Sequence, residues 1–485
     1  MAKRTFNRPP SGYTQYPSET LPERWPLATL TQPRNISYNR DARLINCYVE
    51  LDPQTQEYLV EKRPGVAQPL NLGSGEGRGI FNWRPNTGPI GAGGVYSIVG
   101  AQIFKNAVLF GAVSGAGSYV FEPMLEGPYV FFNNSLEAYY TDGTTLTTVT
   151  DPDFPTGGFC LGAAYLNQRM YIIRYDAGIQ GSDAGNPGAW DPLNLIFARN
   201  NPDGGVTIAK QLSYIIALKQ WTTEFFEDVG NPTGSVLQVV DGAMLNYGCS
   251  DARTLHELDG TLFWVTASKD GAPQVGRLDN LTFKIISTPP IERLLKSVAN
   301  FAIIDVSAFS LKLGGHRFYV LNIETIPFTL VYDLDQNFWY YWNDPSGIAW
   351  PYGSSTLLND QILLQRVSNG TQVTCDADYV YPTDLGSSAV VDIYTPNFDF
   401  GVNRVKQLNM KYFNSDQTTG SVLQVRYSDD DYQTYSNFRL VDLGLIRPSL
   451  DNEGSFQRRS YNYRHVCPTA LRLRSCDLQI DIGTG

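Results

Sequence analysis

The chain has 485 residues and a formal net charge of −11, from 48 acidic against 37 basic side chains. An acidic surface repels phosphates across a Debye length of roughly 8 to 10 Å at ordinary salt, which argues against a protein built to grip nucleic acid tightly. No run of about twenty apolar residues exists, so a membrane-spanning helix is excluded. The opening Met1-Ala2-Lys3-Arg4 leads into polar sequence rather than a signal-peptide core, so a soluble protein made in the cytoplasm is expected.

Residues 1–40 contain Pro9, Pro10, Pro17, Pro22, Pro26 and Pro33 with Arg and Tyr interleaved, a pattern that forms no regular core element. It reads as a disordered tail or as an extended arm ordered on assembly. Tyr13, Tyr16, Trp25 and Ile36 favour the arm, because a solvated linker needs no apolar anchors. Residues 41–91 are expected to supply strands that join two domains. Within them Gly73-Ser74-Gly75-Glu76-Gly77-Arg78-Gly79 lacks the Gly-Lys-Ser/Thr end of a phosphate loop and reads as a flexible loop before the strand Ile80-Phe81-Asn82-Trp83.

From about residue 92 strand-like runs recur at roughly the 40 to 45 residues typical of a propeller blade. They include Val95-Tyr96-Ser97-Ile98-Val99, Leu136-Glu137-Ala138-Tyr139-Tyr140, Ala163 to Ile173, Ile215 to Phe226 and Thr261 to Val265. Short polar turns (Asn167-Gln168, Lys219-Gln220, Asp259-Gly260) separate an incoming strand from an aromatic-bearing outgoing one. Gly315-His316-Arg317-Phe318-Tyr319-Val320-Leu321, Thr329 to Asp333 and Phe338-Trp339 read as a hairpin of one blade. The predicted architecture is all-β: a six-bladed β-propeller over 92–385, with a generic β-sandwich as the alternative. The best helical candidate is Pro290 to Lys296.

Turn formers cluster at Tyr381-Pro382-Thr383-Asp384-Leu385-Gly386-Ser387-Ser388, which marks a boundary. Beyond it, over 386–485, alternating runs at Val390 to Pro396, Gln407 to Phe413, Val422 to Tyr427 and Leu471 to Arg474 predict a compact, sandwich-like second domain. Ser428-Asp429-Asp430-Asp431-Tyr432-Gln433-Thr434-Tyr435 resembles the Asp-box of sialidases, Ser-x-Asp-x-Gly-x-Thr-Trp, with Tyr432 for Gly and Tyr435 for Trp. Asp-boxes are turns whose Ser and Asp satisfy local backbone donors, so even a perfect copy is structural.

Catalytic and metal signals are thin. Cys47, Cys160, Cys249, Cys375, Cys467 and Cys476 are scattered, and Cys467 near His465 makes two ligands where zinc wants four. His256, His316 and His465 have no Gly-x-Ser-x-Gly or His-Glu-x-x-His context. No catalytic residue, metal or cofactor is expected.

Six pieces in order carry a family resemblance. They are Arg43 to Glu50 followed by Lys62-Arg63-Pro64-Gly65-Val66; Thr148 to Pro155; Trp190 to Ala198; Asn201-Pro202-Asp203 leading to Thr222-Thr223-Glu224-Phe225-Phe226 and Gly230; Gly248-Cys249; and the Gly-His-x-Phe-Tyr-Val hairpin. Together they resemble the packaged-DNA stabilisation proteins of short-tailed bacteriophages, the tail-hub or nozzle family. Ser250-Asp251 depart from the family's small apolar residues, and the C-terminal region matches only in style.

The resemblance implies a structural virion protein of the tail, assembled in the host cytoplasm. It would form a homo-oligomeric, hexameric ring and dock on the head-to-tail adaptor. It would also carry tail spikes or fibres, accept a tail needle or plug, and let genomic DNA pass through the lumen without sequence-specific binding. In that family an N-terminal strand segment packs with the C-terminal region as a platform, so the platform domain would be discontinuous. The expected assembly interface is the arm's Arg4, Arg8, Tyr13, Tyr16 and Trp25 with the tail's Arg458, Arg459 and Arg464, although a solvated arginine face explains the latter equally well. A sugar-binding or sugar-cleaving propeller is the alternative.

Overall fold

The computed structural model describes residues 13–14, 24–28, 41–52, 57–86, 89, 91–298, 300–301, 304–376 and 381–483. Strands dominate, and Pro289–Lys296 is the one α-helix among the described residues. Two prolines at its first positions suit a helix start, and Ile291, Leu294 and Leu295, spaced three and four apart, are buried on one face.

The chain divides into two compact units: Gln68–Thr329 with Trp350–Cys375, and Met1–Ala67 with Leu330–Ala349 and Asp376–Gly485. The first is a six-bladed β-propeller. Its first blade is Gly77–Trp83, Gly94–Val99, Gln102–Lys105 and Val108–Ala112, paired antiparallel in sequence order. Four more blades follow in the same way, running from Val120–Pro123 to Leu146–Thr148, Ala164–Leu166 to Asn186–Phe197, Gly205–Gln211 to Leu237–Leu245, and Gly248–Cys249 to Thr282–Ile285. The closing blade joins Tyr352–Leu358, Gln361–Arg366 and Gln372–Cys375 to Val66–Leu70, so its strands come from both ends of the propeller sequence.

Two-residue turns set the hairpins. Asn167 and Gln168 have φ of 47° and 66°, and Asp259 and Gly260 have φ of 50° and 77°, left-handed pairs that match strand twist. Aromatic and aliphatic side chains fill the spaces between blades: Trp83, Tyr96, Ile98, Phe132 and Tyr139 form one such cluster.

Polar seams then tie blade to blade. Asn133 Nδ2 donates to the Gly162 carbonyl (2.9 Å), and the Gly162 N–H donates back to Asn133 Oδ1 (3.1 Å). Gln365 seals the ring, accepting from the Gly79 N–H (3.0 Å) and donating to the Ile98 carbonyl (3.0 Å). The long hairpin Val306–Leu313/His316–Ile323 lies between the fifth and closing blades. Tyr319 Oη donates to the Thr254 carbonyl (2.7 Å), and Asn322 Nδ2 donates to the Tyr352 carbonyl (2.6 Å).

These bounds differ from the expected 92–385. The first blade opens with Gly77–Trp83, inside the span 41–91 expected to supply strands joining the two domains. Glycines there signalled a loop, yet a Cβ on Gly77 would lie 2.3 Å from the Arg366 carbonyl, so glycine permits close backbone approach between the first and closing blades. The Gly315 to Trp339 run supplies successive strands of one sheet, in the order Val306–Leu313, His316–Ile323, Thr329–Asp333 and Phe338–Trp342. His316–Ile323 pairs with Val306–Leu313, whereas Phe338–Trp342 is buried at all five positions and belongs to the other unit.

That second unit is a β-sandwich. One sheet orders Ser449–Asp451, Lys406–Ser415, Arg472–Gly483, Tyr58–Lys62 and Cys47–Leu51, with Tyr13–Thr14 and Arg24–Trp25 both added to Arg472–Gly483. The other contains Phe338–Trp342, Arg43–Ile45, Val391–Tyr394, Ser460–His465, Val422–Ser428 and Arg439–Asp442. The faces meet where Phe413 lies edge-on to Tyr463, ring centroids 5.8 Å apart.

The unit's three chain segments converge on Arg63, whose side chain is 1% exposed. Its Nη1 and Nη2 clamp Asp384 at 3.0 and 2.6 Å. Nε donates to Asn46 Oδ1 (3.0 Å), Nη2 to the Asn343 carbonyl (2.8 Å) and Nη1 to the Pro64 carbonyl (3.1 Å). All five guanidinium donors are therefore satisfied. Removing one member of a buried pair strands the other, so Arg63→Ala should lower the unfolding free energy by about 3–5 kcal/mol, with Arg63→Lys recovering only part because an ammonium has three donors. Urea unfolding followed by tryptophan fluorescence checks this; an unchanged midpoint would contradict it.

Candidate assembly surface

Trp25 is the clearest of the expected interface residues to locate. Its two-residue strand pairs with Cys476 and Asp477, and its indole, 2% exposed, meets Tyr461, Phe400 and Phe398 edge-on at 4.7, 5.5 and 5.8 Å. Nε1 donates to Thr395 Oγ1 (3.1 Å). The anchor reading thus corresponds to packing within the chain's own sandwich, rather than to a free contact face. Tyr13 pairs through its backbone with Gly483. Arg4, Arg8, Tyr16 and Ile36 lie outside the described residues.

Below the indole sits Lys411, fully buried, with Nζ 2.8 Å from the Tyr461 ring centroid and 3.2 Å from Glu453 Oε2. Burial pulls its pKa down to about 8 against the opposing pull of Glu453. Tyr461 Oη in turn donates to Glu453.

The tail arginines are likewise engaged. Arg459 is buried, clamps Asp429 at 2.7 and 2.8 Å and stacks on Tyr427 at 3.7 Å. Arg464 holds Asp392 at 2.9 and 3.0 Å, and the exposed Arg458 holds Asp431 at 2.6 and 2.8 Å. Each of these three guanidiniums is thus paired with a carboxylate of the same unit. Their charges are matched by carboxylates 27 to 72 residues away in sequence.

The sialidase-like turn keeps its geometry without its glycine. Asp430 accepts from the Gln433 and Thr434 N–H groups (3.0 and 2.9 Å) and Tyr432 N–H donates to Ser428 Oγ (2.9 Å), while Tyr432 itself holds φ of 66°. The bond from the Thr434 hydroxyl, with those backbone donors, draws the Asp430 pKa down to about 2. Its carboxylate is thus occupied by its own turn, in the sandwich rather than in a blade.

A cavity of about 760 Å³ in the same unit is lined by Arg24, Glu50, Glu57, Asp416, Arg472 and Arg474, already paired as Arg24–Glu57 (2.5 Å), Arg472–Glu50 (3.2 Å) and Arg474–Asp416 (2.8 Å). At its rim Ile446 is 87% exposed beside exposed Leu445. This sets an exposed apolar tip beside charges that are already paired.

In the propeller, the separated pieces Asn201 to Asp203 and Thr222 to Glu224 are brought together by Lys219, read from the sequence as a surface turn residue. Its Nζ lies 2.8 Å from Asp203 Oδ1 and 2.5 Å from Glu224 Oε1, with all three side chains at most 1% exposed. No pattern of spacing announces that a lysine beside a turn is buried.

His465 is buried with Nε2 2.9 Å from Ser421 Oγ, and burial with nearby Lys62 lowers its pKa to about 3. His256 Nε2 lies 3.0 Å from Ser310 Oγ, and burial lowers it to about 4. His316 is buried with its ring stacked on Phe318. Among the described residues no three His, Cys, Asp or Glu side chains converge as a metal site.

Two measurements follow from this geometry. Trp25→Ala should cost about 3–5 kcal/mol of sandwich stability and make the segment before residue 41 more sensitive to protease; identical digestion rates would refute the anchoring role. Below pH 6.5 an unfolded chain protonates His465 while the folded one refuses the proton until about pH 3. Stability should therefore fall on acidification through that window, by up to about 1.4 kcal/mol per pH unit from this group, and His465→Gln should flatten the slope.

The family model described as bacteriophage P22 Gp10, beta-propeller matches residues 41–354. No curated protein matches. Among solved structures, BamB from Moraxella catarrhalis is 10% identical with a TM-score of 0.36, covering 64% of this chain and 99% of that one. The extracellular domain of the putative one-component system BT4673 from B. thetaiotaomicron is 9% identical with a TM-score of 0.42, covering 84% and 58%. YCF48 from Cyanidioschyzon merolae is 11% identical with a TM-score of 0.38, covering 65% and 100%. Through the family match over 41–354, which takes in five complete blades and the start of the closing one, the chain belongs to the phage stabilisation family of bacteriophage P22 Gp10, a family of phage structural proteins.

Proposed function

We propose that this chain forms the distal tail tube, the hub or nozzle, of a short-tailed bacteriophage. The observation that carries the reading is the family match from residue 41 to 354, which spans elements of both units, so that sandwich strands as well as blades are part of the likeness. Six copies would close a ring through heterologous contacts, in which one subunit's face meets a different face of the next. The ring would dock on the portal-adaptor complex, carry spikes or fibres on its flank, accept a needle or plug below, retain packaged DNA and conduct it on ejection.

Charge supports a conduit. A chain of net charge −11 offers passing phosphates little to adhere to, and the arginines Arg459 and Arg464 are neutralised internally. The role is mechanical, in the virion tail, after assembly in the host cytoplasm. The sugar-cleaving alternative loses its one motif, because Asp430 is occupied by its own turn.

Purified chain mixed with portal and adaptor complexes of the same virus, then followed by sedimentation and negative-stain electron microscopy, tests the proposal. A six-fold ring extending the portal channel is expected. A chain that sediments apart from the complexes at every concentration would overturn it.

A further inference from the structure

Seven of the eight tryptophans are at most 4% exposed, and the eighth, Trp221, is 40% exposed. It sits in the turn between Tyr214–Lys219 and Thr223–Asp228 of the fourth blade, at the mouth of a pocket of about 350 Å³. The pocket lies between the fourth and fifth blades. Its other walls are Asn201 and Asp203 before the fourth blade, Asn246 after it, and Ser268, Lys269 and Asp270 in the turn between Thr261–Ala267 and Val275–Asp279.

The turn that presents this indole is held by buried charge. Asp203 accepts from the Trp221 N–H (2.8 Å), the Thr222 N–H (3.0 Å) and the Thr222 hydroxyl (3.0 Å). Lys219 grips Asp203 from below, pairs with Glu224 and donates to the Asn201 carbonyl (2.9 Å). Stripping water from three charges is expensive and seldom returns a net gain in stability, so the gain from such a network is fixed geometry. What it fixes is an exposed aromatic plane beside a polar pocket.

The lining says what would fill that pocket. A partner protein's anchoring side chain seeks an apolar hole, whereas here Pro202 is the one wholly apolar side chain besides the indole among the described residues that line it. Amides, hydroxyls, carboxylates and the Lys269 ammonium ring the cavity and present both donors and acceptors. A flat apolar face opposed by a fringe of hydrogen-bonding groups matches a molecule with one C–H face and a rim of hydroxyls, and the exposed Lys269 of the lining is offset by the adjacent exposed Asp270, which leaves no cationic excess to favour an anion. We infer that this pocket binds a neutral pyranose unit of a glycan, stacked on Trp221 and hydrogen-bonded by Asn201, Asn246, Ser268 and Asp270. The inference concerns the fourth and fifth blades alone and stands apart from the tail-tube reading.

The purified chain suffices for the test. Glucose, galactose and N-acetylglucosamine are titrated separately, with tryptophan fluorescence and saturation-transfer NMR as readouts. At least one should bind with a dissociation constant on the order of 1 mM, the weak range open to a ligand of few heavy atoms. Because the other indoles are buried, the fluorescence change should report Trp221. Trp221→Ala, read by NMR, should weaken binding at least about tenfold, and Asn246→Ala, which leaves the indole as reporter, should weaken it severalfold. Absence of binding by all three sugars, or equal binding by Trp221→Ala, would overturn the inference. Loss of portal-adaptor docking in Trp221→Ala with no sugar binding would make the pocket a protein contact and overturn it equally.

Discussion

The sandwich unit depends on one guanidinium. Arg63 reaches Asn46 and Pro64 in the first chain segment, Asn343 in the second and Asp384 in the third, and no donor is left over. Asn46 repeats the arrangement: its Oδ1 accepts from Arg63 and from the Asn343 N–H (2.9 Å), and its Nδ2 donates to the Val390 carbonyl (2.9 Å). Asn46 sits at φ of 55°, a conformation asparagine tolerates better than most residues. Since propeller sequence separates these segments, the sandwich is non-local by construction, while each of the first four blades pairs strands adjacent in sequence and the fifth pairs strands close in sequence. Loop-closure entropy therefore favours the blades forming before the sandwich closes.

Buried cations recur throughout. Lys219 lies between two carboxylates; Lys411 lies under an indole and over a phenol ring; Lys62 donates to Ser388 Oγ and the carbonyls of Cys467 and Thr469 at 3.0 to 3.2 Å. Lys406 donates to the Arg404 and Gln457 carbonyls at 2.8 and 2.7 Å. Each is anchored to backbone or side chain from distant sequence. Such networks specify one packing among many that apolar side chains of similar volume would allow, at the cost of desolvation.

Much of the propeller was legible because its physics is local. Alternating runs and the Asn167-Gln168 and Asp259-Gly260 turns name hairpins directly, and the helix at Pro289–Lys296 follows from its apolar spacing. What escaped depends on distant partners. Gly77 and Gly79 read as loop formers because the approach of Arg366 and Tyr119 is invisible in the local sequence. Arg458, Arg459 and Arg464 read as a basic patch because Asp431, Asp429 and Asp392 lie far off in the chain. Phe338-Trp339 read as the aromatic end of a blade hairpin, and burial of all five residues of Phe338–Trp342 places the strand inside a sheet. Trp25 was singled out as an anchor from its setting among prolines, but the rings it meets could not be named.

The central claim is a tail-tube subunit, and a cryo-electron reconstruction of the intact virus tail, calculated without imposed symmetry, tests it most directly. The account predicts six copies of this chain around the tail axis below the adaptor, each fitting the six-bladed propeller with its sandwich, and DNA density ending at or above the ring. A particle in which the chain lies away from that axis, or from which it is missing, would contradict it.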